Sequence, residues 1–221
     1  MVCGGSEATV SPVGIASFDR MGAMTRESDN PTKACRPFSA DRCGLVMGEG
    51  AGVMVLEELD SALARGAEPL AELVSYGCTC DAFHISAPLE DGAGAAKAMA
   101  MALKHAGLRP EDVDFISAHG TATDLNDPME TRAIKTVLGE HAYKVPVSGT
   151  KSMTGHMMGA TGALEALLCV QAIRTGKVPP TLNLTTPDPQ CDLDYVPNVA
   201  RQVPVRVAMT NAFGFGGPPF P

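Results

Sequence analysis

Gly149-Thr150-Lys151-Ser152-Met153-Thr154-Gly155-His156-Met157-Met158-Gly159-Ala160-Thr161-Gly162-Ala163-Leu164-Glu165 runs from a glycine-rich loop into an apolar helix. The residues just before it, Tyr143-Lys144-Val145-Pro146-Val147, are β-prone. Strand, loop and helix in that order are the building unit of a layered α/β fold. Glycines let backbones approach closely and take positive φ. A helix that starts in such a loop aims free N–H groups and a positive dipole end at whatever lies in front of it. Lys151 and His156 then share that space, and a neighbouring cation favours a neutral imidazole at working pH.

Outward from this stretch, strand and helix patterns alternate. Towards the amino terminus, Pro128–Leu138 reads as a helix and Asp112–Ala118 as a strand that delivers His119 at its end. Ala93–Ala106 is a helix ended by Gly107, and Ala71–Tyr76 a strand. Asp81–Pro88 is a loop holding His84, and Asp60–Arg65 a short helix. Residues 20–42 are polar and irregular, which in a compact domain marks a functional segment or a partner contact. Residues 1–19 read as a strand, a glycine turn and a helix beginning near Ser11-Pro12. In the other direction, Gly162–Arg174 is a buried helix and Pro179–Pro189 an extended segment. Val205–Thr210 is a last strand before Asn211-Ala212-Phe213-Gly214-Phe215-Gly216-Gly217.

Gly48, Gly50 and Gly52 suggest a nucleotide loop, but that fingerprint needs a strand before it and a helix after it. Here Val53–Leu56 continues as a strand, so the glycines predict a strand crossed closely by another backbone.

A chain of 221 residues with 45% hydrophobic content can bury a sizeable core. Its net charge of -8 argues against nucleic acid as a general partner and leaves room for a small basic patch that meets an acidic carrier. No apolar run reaches the length of a membrane span. The opening Met1-Val2-Cys3-Gly4-Gly5 has neither signal-peptide nor transit-peptide character and looks like a strand running into a glycine turn, an odd way to begin a domain. Seven scattered cysteines, with only Cys78 and Cys80 in a C-x-C pair, lack metal-ligand spacing, so no metal site is expected. They predict reduced, mostly buried thiols.

Three loops gather chemistry, each after a strand: Ser117–Thr123, Thr150–His156 and Asn211–Gly217. Ligands collect at the carboxyl ends of strands in open α/β sheets. His119 and His156 there are suited to donate hydrogen bonds to a developing oxyanion or to handle a proton. Backbone N–H groups of the Gly214–Phe215 turn would complete an oxyanion hole, and Thr121 with Thr123 would bind a polar ligand arm. Each feature also has a structural reading. A histidine at a strand end is often a hydrogen-bonded scaffold residue. Lys151 serves equally to satisfy loop carbonyls, with Glu165 as its buried partner. Gly-Phe-Gly-Gly alone is a turn with a core aromatic. His84, His105 and His141 sit in polar or helical contexts and are expected to be structural. The residues by themselves describe an enzyme-like α/β domain with the reaction open.

The motifs resemble those of the β-ketoacyl-[acyl-carrier-protein] synthases, the condensing enzymes of fatty acid synthesis. The resemblance rests on Ala118-His119-Gly120-Thr121-Ala122-Thr123, Thr150-Lys151-Ser152-Met153-Thr154-Gly155-His156, Pro179-Pro180-Thr181-Leu182-Asn183-Leu184 and Asn211–Gly217. Arg36-Pro37-Phe38 and Gly48–Gly52 fit as well, so the resemblance covers nearly the whole chain in the family's order. It is most similar to the type II, long-chain-elongating branch. It implies a thiolase-like layered α/β fold, with residues 1–58 the end of the amino-terminal half and 59–221 the carboxy-terminal domain.

The resemblance further implies decarboxylative condensation of a malonyl-carrier with an acyl thioester. By position, His119 and His156 would activate the malonyl group and stabilise the enolate. Lys151 would be the active-site lysine and Glu165 its acidic partner, with Asp127 in a supporting acidic position. Thr121 and Thr123 would contact the phosphopantetheine arm, which the acyl carrier protein brings, so no tightly bound cofactor is implied. Phe215 would be the gating phenylalanine whose backbone N–H serves the oxyanion hole. The family dimerises, and its compartment is the cytoplasm in bacteria, the plastid or mitochondrion in eukaryotes.

Two departures stand out beside a mild one at Met21–Thr25. The family's nucleophilic cysteine lies in an Ala-Cys-Ser-Ser-like turn upstream of the Gly4-Gly5-Ser6-Glu7 region, and no cysteine here has that context. The chain alone is therefore expected not to complete a condensation. An alternative is a non-catalytic fragment or pairing subunit that binds a partner half or a carrier. In the second departure, Pro218-Pro219-Phe220-Pro221 replaces a final strand, because proline cannot donate to a ladder.

Overall fold

The computed structural model describes residues 1–215. Gly216, Gly217 and the proline-rich end, where the last strand was expected to be lost, lie outside the described residues.

In chain order the elements are β1 (Val2–Glu7), α1 (Pro12–Arg20), β2 (Gly50–Val55), α2 (Leu59–Ala64), α3 (Ala93–Ala106), β3 (Phe115–Ser117), α4 (Asn126–Leu138), β4 (Val147–Ser148), α5 (Lys151–Thr154), α6 (Met158–Thr175), β5 (Lys177–Val178), β6 (Arg201–Gln202) and β7 (Ala208–Thr210). Ser11 caps α1 by accepting from the Gly14 N–H at 3.2 Å, with Pro12 in the first turn. Gly107 ends α3 in the left-handed conformation at φ 66°.

The central sheet has the order β4-β3-β7, and both pairings are parallel. Parallel strands with helices against them are buried on both faces. β3 shows this directly. Ile116 belongs to a core cluster with Met99, Leu103, Ile134 and Val147, while Phe115 belongs to a second cluster with Cys169, Ala172, Val178 and Val205. Successive side chains of a strand point to opposite faces, so one strand serves both cores. Each fully buried aliphatic of this kind is worth about 1.5–3 kcal/mol.

Helix α6 packs on the central sheet and also on the antiparallel pair β1–β2. Its residues Thr161, Glu165, Cys169 and Ala172 are buried at helical spacing. β1 and β2 approach it so closely that a Cβ on Gly5 would lie 2.1 Å from the Gly159 carbonyl oxygen, and one on Gly52 would lie 3.1 Å from Ala163. Gly4 and Gly5 therefore sit inside a strand rather than in the expected turn, and Gly50 and Gly52 lie in the closely crossed strand that the glycine pattern predicts, with Gly48 just before it.

Other expectations need correction. Ala71–Tyr76 forms no ladder. It runs instead along α3, where the Ser75 hydroxyl donates to the Ala102 carbonyl at 2.7 Å and Thr79 to that of Gly94 at 2.8 Å. A strand pattern states that a segment suits a sheet, but hydrogen bonds need a neighbouring strand, and none pairs with it among the described residues. The strand before His119 is short because Pro110–Asp112 takes a single 3₁₀ turn. Helix α6 begins at Met158, a turn earlier than its apolar pattern. Only Cys35, Cys169 and Cys191 are buried; Cys3 and Cys78 are half-buried, and Cys43 and Cys80 are exposed.

Candidate active site

The parallel order β4-β3-β7 brings the loops at Ser117–Thr123 and Thr150–His156 and the described start of the third, Asn211–Phe215, side by side at one end of the sheet. The Asn211 N–H, after β7, donates to the Ser117 carbonyl at 2.9 Å, and the Ala118 N–H donates to the Ser148 carbonyl at 2.9 Å. Phe38 lies beneath two of these loops. A Cβ on Gly120 would meet its ring at 3.1 Å, and one on Gly149 would meet Pro37 at 2.9 Å. Glycine at both positions is a requirement of that packing.

His119 and His156 face each other edge-on, with ring centroids 5.3 Å apart and planes at 85°. Between their loops lies Lys151, whose side chain is 1% exposed. Its ammonium donates to the Glu165 carboxylate at 2.7 Å and to the His119 carbonyl oxygen. Lysine thus does both things the sequence left open: it satisfies a loop carbonyl and pairs with Glu165. Burial raises the Glu165 carboxyl from its ordinary range, against the opposing pull of the Lys151 charge.

Both imidazoles are held neutral. Burial is the main cause, reinforced by the positive charge of Lys151, and it lowers His156 to about 3 and His119 well below its ordinary value. The neighbouring cation acts in the expected direction, and desolvation is the larger cause. The His156 Nδ1 accepts from the Met158 N–H at 3.2 Å, beside the Thr161 hydroxyl at 3.3 Å. A ring nitrogen that accepts carries no proton, so this network assigns the proton of His156 to Nε2. His156 is fixed through its backbone as well, which pairs with Val46 at 2.7 Å and Gly48 at 3.0 Å.

Sequence reasoning missed the residue that sets His119. Glu130 is fully buried and accepts from the N–H groups of His119 at 2.8 Å and Gly120 at 2.9 Å. The Asn211 side-chain amide donates to it at 3.0 Å. Glu130 lies three residues after Asp127 in α4, so the two carboxylates share one helix face. That spacing was the available signal. Asp127 accepts instead from Phe38 N–H at 2.7 Å and Ala122 N–H at 3.2 Å, and burial pushes it up to about 6.

The hydroxyls of Thr121 and Thr123 are hydrogen-bonded at 2.8 Å. The aromatic ring against His119 is that of Phe213, at 5.3 Å. Phe215 is half-exposed and lies 6.2 Å from Phe18 of α1, so its ring does not cover the histidines in this conformation. The three remaining histidines hold backbone, as expected: His84 accepts from Ser86 and Ala87, His105 meets the Tyr76 carbonyl, and His141 meets that of Val113.

Comparison with known proteins gives this constellation a context. Residues 70–185 match the family model of the beta-ketoacyl synthase C-terminal domain, and residues 1–62 that of the N-terminal domain. The chain belongs to the β-ketoacyl synthase family. It is similar to 3-oxoacyl-[acyl-carrier-protein] synthase 2 of Synechocystis sp., with 57% identity over 98% of this chain and 52% of that protein. It resembles the solved ketosynthase of the AntDE:AntF complex, a type II PKS acyl-carrier protein with its ketosynthase bound to the hexaketide. That likeness has a TM-score of 0.96 and 43% identity, covering 98% of this chain and 53% of the other. The ishigamide ketosynthase/chain length factor is also similar, with a TM-score of 0.89 and 45% identity over 98% of this chain and 51% of the other. The fold is the thiolase-like layered α/β fold of these ketosynthases. The chain spans about half the length of the curated relatives it matches.

Proposed function

We propose that this chain carries the malonyl-handling half of a 3-oxoacyl-[acyl-carrier-protein] synthase. The observation that carries the reading is the edge-on pair of neutral imidazoles, His119 and His156, 5.3 Å apart beside a buried lysine. A neutral imidazole with its proton on Nε2 donates a hydrogen bond to a thioester carbonyl oxygen. When the C–C bond to the malonyl carboxylate breaks, CO2 leaves and its bonding electron pair becomes an enolate. That oxygen then carries negative charge, and preorganised donors stabilise it more than they stabilise the ground-state carbonyl. The enolate carbon attacks an acyl thioester, expels its thiolate and gives a 3-oxoacyl-carrier.

Lys151 serves as the fixed cation that adds to burial in keeping both rings neutral and holds the His119 loop through its carbonyl oxygen. Glu165 balances that charge, and Asp127 and Glu130 fix the turn after β3. Thr121 and Thr123 offer hydroxyls to the amide-bearing phosphopantetheine arm of an acyl carrier protein. The Phe215 N–H is assigned to the oxyanion of the acyl-transfer step.

That step needs a thiolate. Burial pushes Cys35, Cys169 and Cys191 up to about 12, which makes them poor nucleophiles at neutral pH. None of the seven cysteines lies in an Ala-Cys-Ser-Ser-like turn, so the acyl-accepting cysteine is assigned to the part of the relatives' length that this chain does not span. The test is a chimera joining the upstream half of the Synechocystis relative to this chain. It should form 3-oxoacyl-carrier from malonyl- and acyl-carrier, and His119→Ala should abolish this. A folded chimera that forms none contradicts the proposal.

A second reading, a pairing subunit, draws on one exposed face. The side of β1–β2 away from α6 exposes Val2 (72%), Val53 (62%) and Val55 (73%), and α1 buries none of its residues. Such a surface fits a second protein half. The intact His119, Lys151 and His156 favour the first reading.

A further inference from the structure

Arg42 belongs to the polar 20–42 stretch and makes no hydrogen bond to His119 or His156, yet its side chain is 6% exposed. Its guanidinium donates to the carbonyl oxygens of Thr123 at 3.1 Å, Ser39 at 3.0 Å and Asp124 at 3.4 Å, and it forms an ion pair with Asp188. Asp188 is buried too and is held by the Gln190 N–H at 2.8 Å. One planar fork thus joins three segments far apart in the chain, a geometry lysine does not reproduce.

The segment it grips is strained. Ala122, fully buried, adopts φ 64°, a conformation that L-residues avoid. Such a residue persists only where its surroundings over-determine it. Here they do: the Gly44 N–H donates to the Ala122 carbonyl at 2.9 Å, Asp127 accepts its N–H at 3.2 Å, and Arg42 takes the next two carbonyls. The strained residue sits between Thr121 and Thr123, whose hydroxyls it brings to 2.8 Å of each other.

We propose that the Arg42–Asp188 pair is a positioning clamp: it holds the left-handed turn at Ala122, and so presents the Thr121 and Thr123 hydroxyls to the phosphopantetheine arm. This rests on the assignment of those threonines to the arm. Arg42 touches no substrate in this account. It acts through the backbone of the loop, and the segment 36–44 is the strap that carries it.

The test uses the 221-residue chain with 13C-methyl threonine and 15N-histidine labels and 4′-phosphopantetheine as the probe. In Arg42→Lys the Thr121 and Thr123 methyl signals should move, the imidazole signals of His119 and His156 should stay, and probe binding should weaken about tenfold, the worth of one well-aligned hydrogen bond. A general loss of structure would move the histidines as well. Asp188→Asn, which keeps the guanidinium and its carbonyl partners, gives the same readings in smaller degree and decides the matter if Arg42→Lys does not fold. Wild-type binding with unchanged affinity in the folded variants overturns the clamp and leaves the arm assignment standing. No binding to the wild-type chain overturns the arm assignment itself, and the clamp's role in it.

Discussion

Lys151 and Glu165 meet at 2.7 Å with both side chains 1% exposed, and they tie the start of α5 to the middle of α6. Removing one partner of a buried pair leaves an uncompensated charge, which costs about 3–5 kcal/mol, whereas replacing both by apolar residues is often neutral. Lys151→Met should therefore lower stability by about 3–5 kcal/mol. The double variant Lys151→Met with Glu165→Leu should recover most of it. Urea denaturation of the singles and the double, read as a double-mutant cycle, checks this; additive losses contradict it.

The pH dependence of stability contains contributions of both signs, from histidines lowered by burial and carboxyls raised by it, and His156 and Asp127 show one of each. His156 has a folded pKa of about 3 against an ordinary 6.5, so the unfolded chain takes up protons first as pH falls. Its contribution to stability is present above pH 6.5 and is lost as pH falls towards 3. Asp127 is raised to about 6 from 3.8, so the folded chain holds its proton longer, and that contribution is present below pH 3.8 and lost as pH rises through 6. Between pH 4 and 6 the two partly cancel. Asp127→Asn removes the carboxyl's share, so its stability should rise more steeply with pH across that window than the wild type's. An unchanged slope by denaturant melts at stepped pH rules this out.

Glu130 accepts from two backbone N–H groups and the Asn211 amide. Each buried donor left unpaired costs about 1–3 kcal/mol. Glu130→Ala is expected to destabilise by roughly 3 kcal/mol and to shift the His119 amide and imidazole signals. A variant as stable as wild type, with His119 unmoved, would show that the turn holds itself.

Much of this was legible beforehand, because glycine, histidine and lysine at strand ends are uncommon in combination, and the parallel sheet does bring those loops together. What escaped the reading depended on partners distant in sequence. Ala71–Tyr76 has strand composition, but its ladder needs a neighbour that pattern cannot supply. Glu130 reads as an ordinary helix residue until the turn at His119 is folded over it. Arg42 reads as loop polarity until Asp188 and the Thr123 carbonyl close around it.

Gly48 allows the close passage that pairs residues 46–48 with His156. A Cβ there would lie 2.4 Å from the Thr154 carbonyl oxygen, so backbone must move. Gly48→Ala should cost about 1–3 kcal/mol by overpacking and displace the His156 signals. Calorimetry and a heteronuclear spectrum test the two halves; a silent substitution refutes the contact.

Phe213 and Phe215 separate cleanly. Phe213→Ala should remove a ring-current shift from His119, since the rings lie 5.3 Å apart, and Phe215→Ala should leave it. The reverse result would place Phe215 over the histidines in solution.

The central claim is that the site holds two neutral imidazoles, with His156 donating from Nε2. The most direct measurement is a 15N-histidine titration of the chain from pH 8 to pH 4. The account predicts that His156 stays in the Nε2–H form with no midpoint near 6.5, because burial and Lys151 both oppose its protonation. A midpoint near 6.5, or a proton on Nδ1, would contradict it.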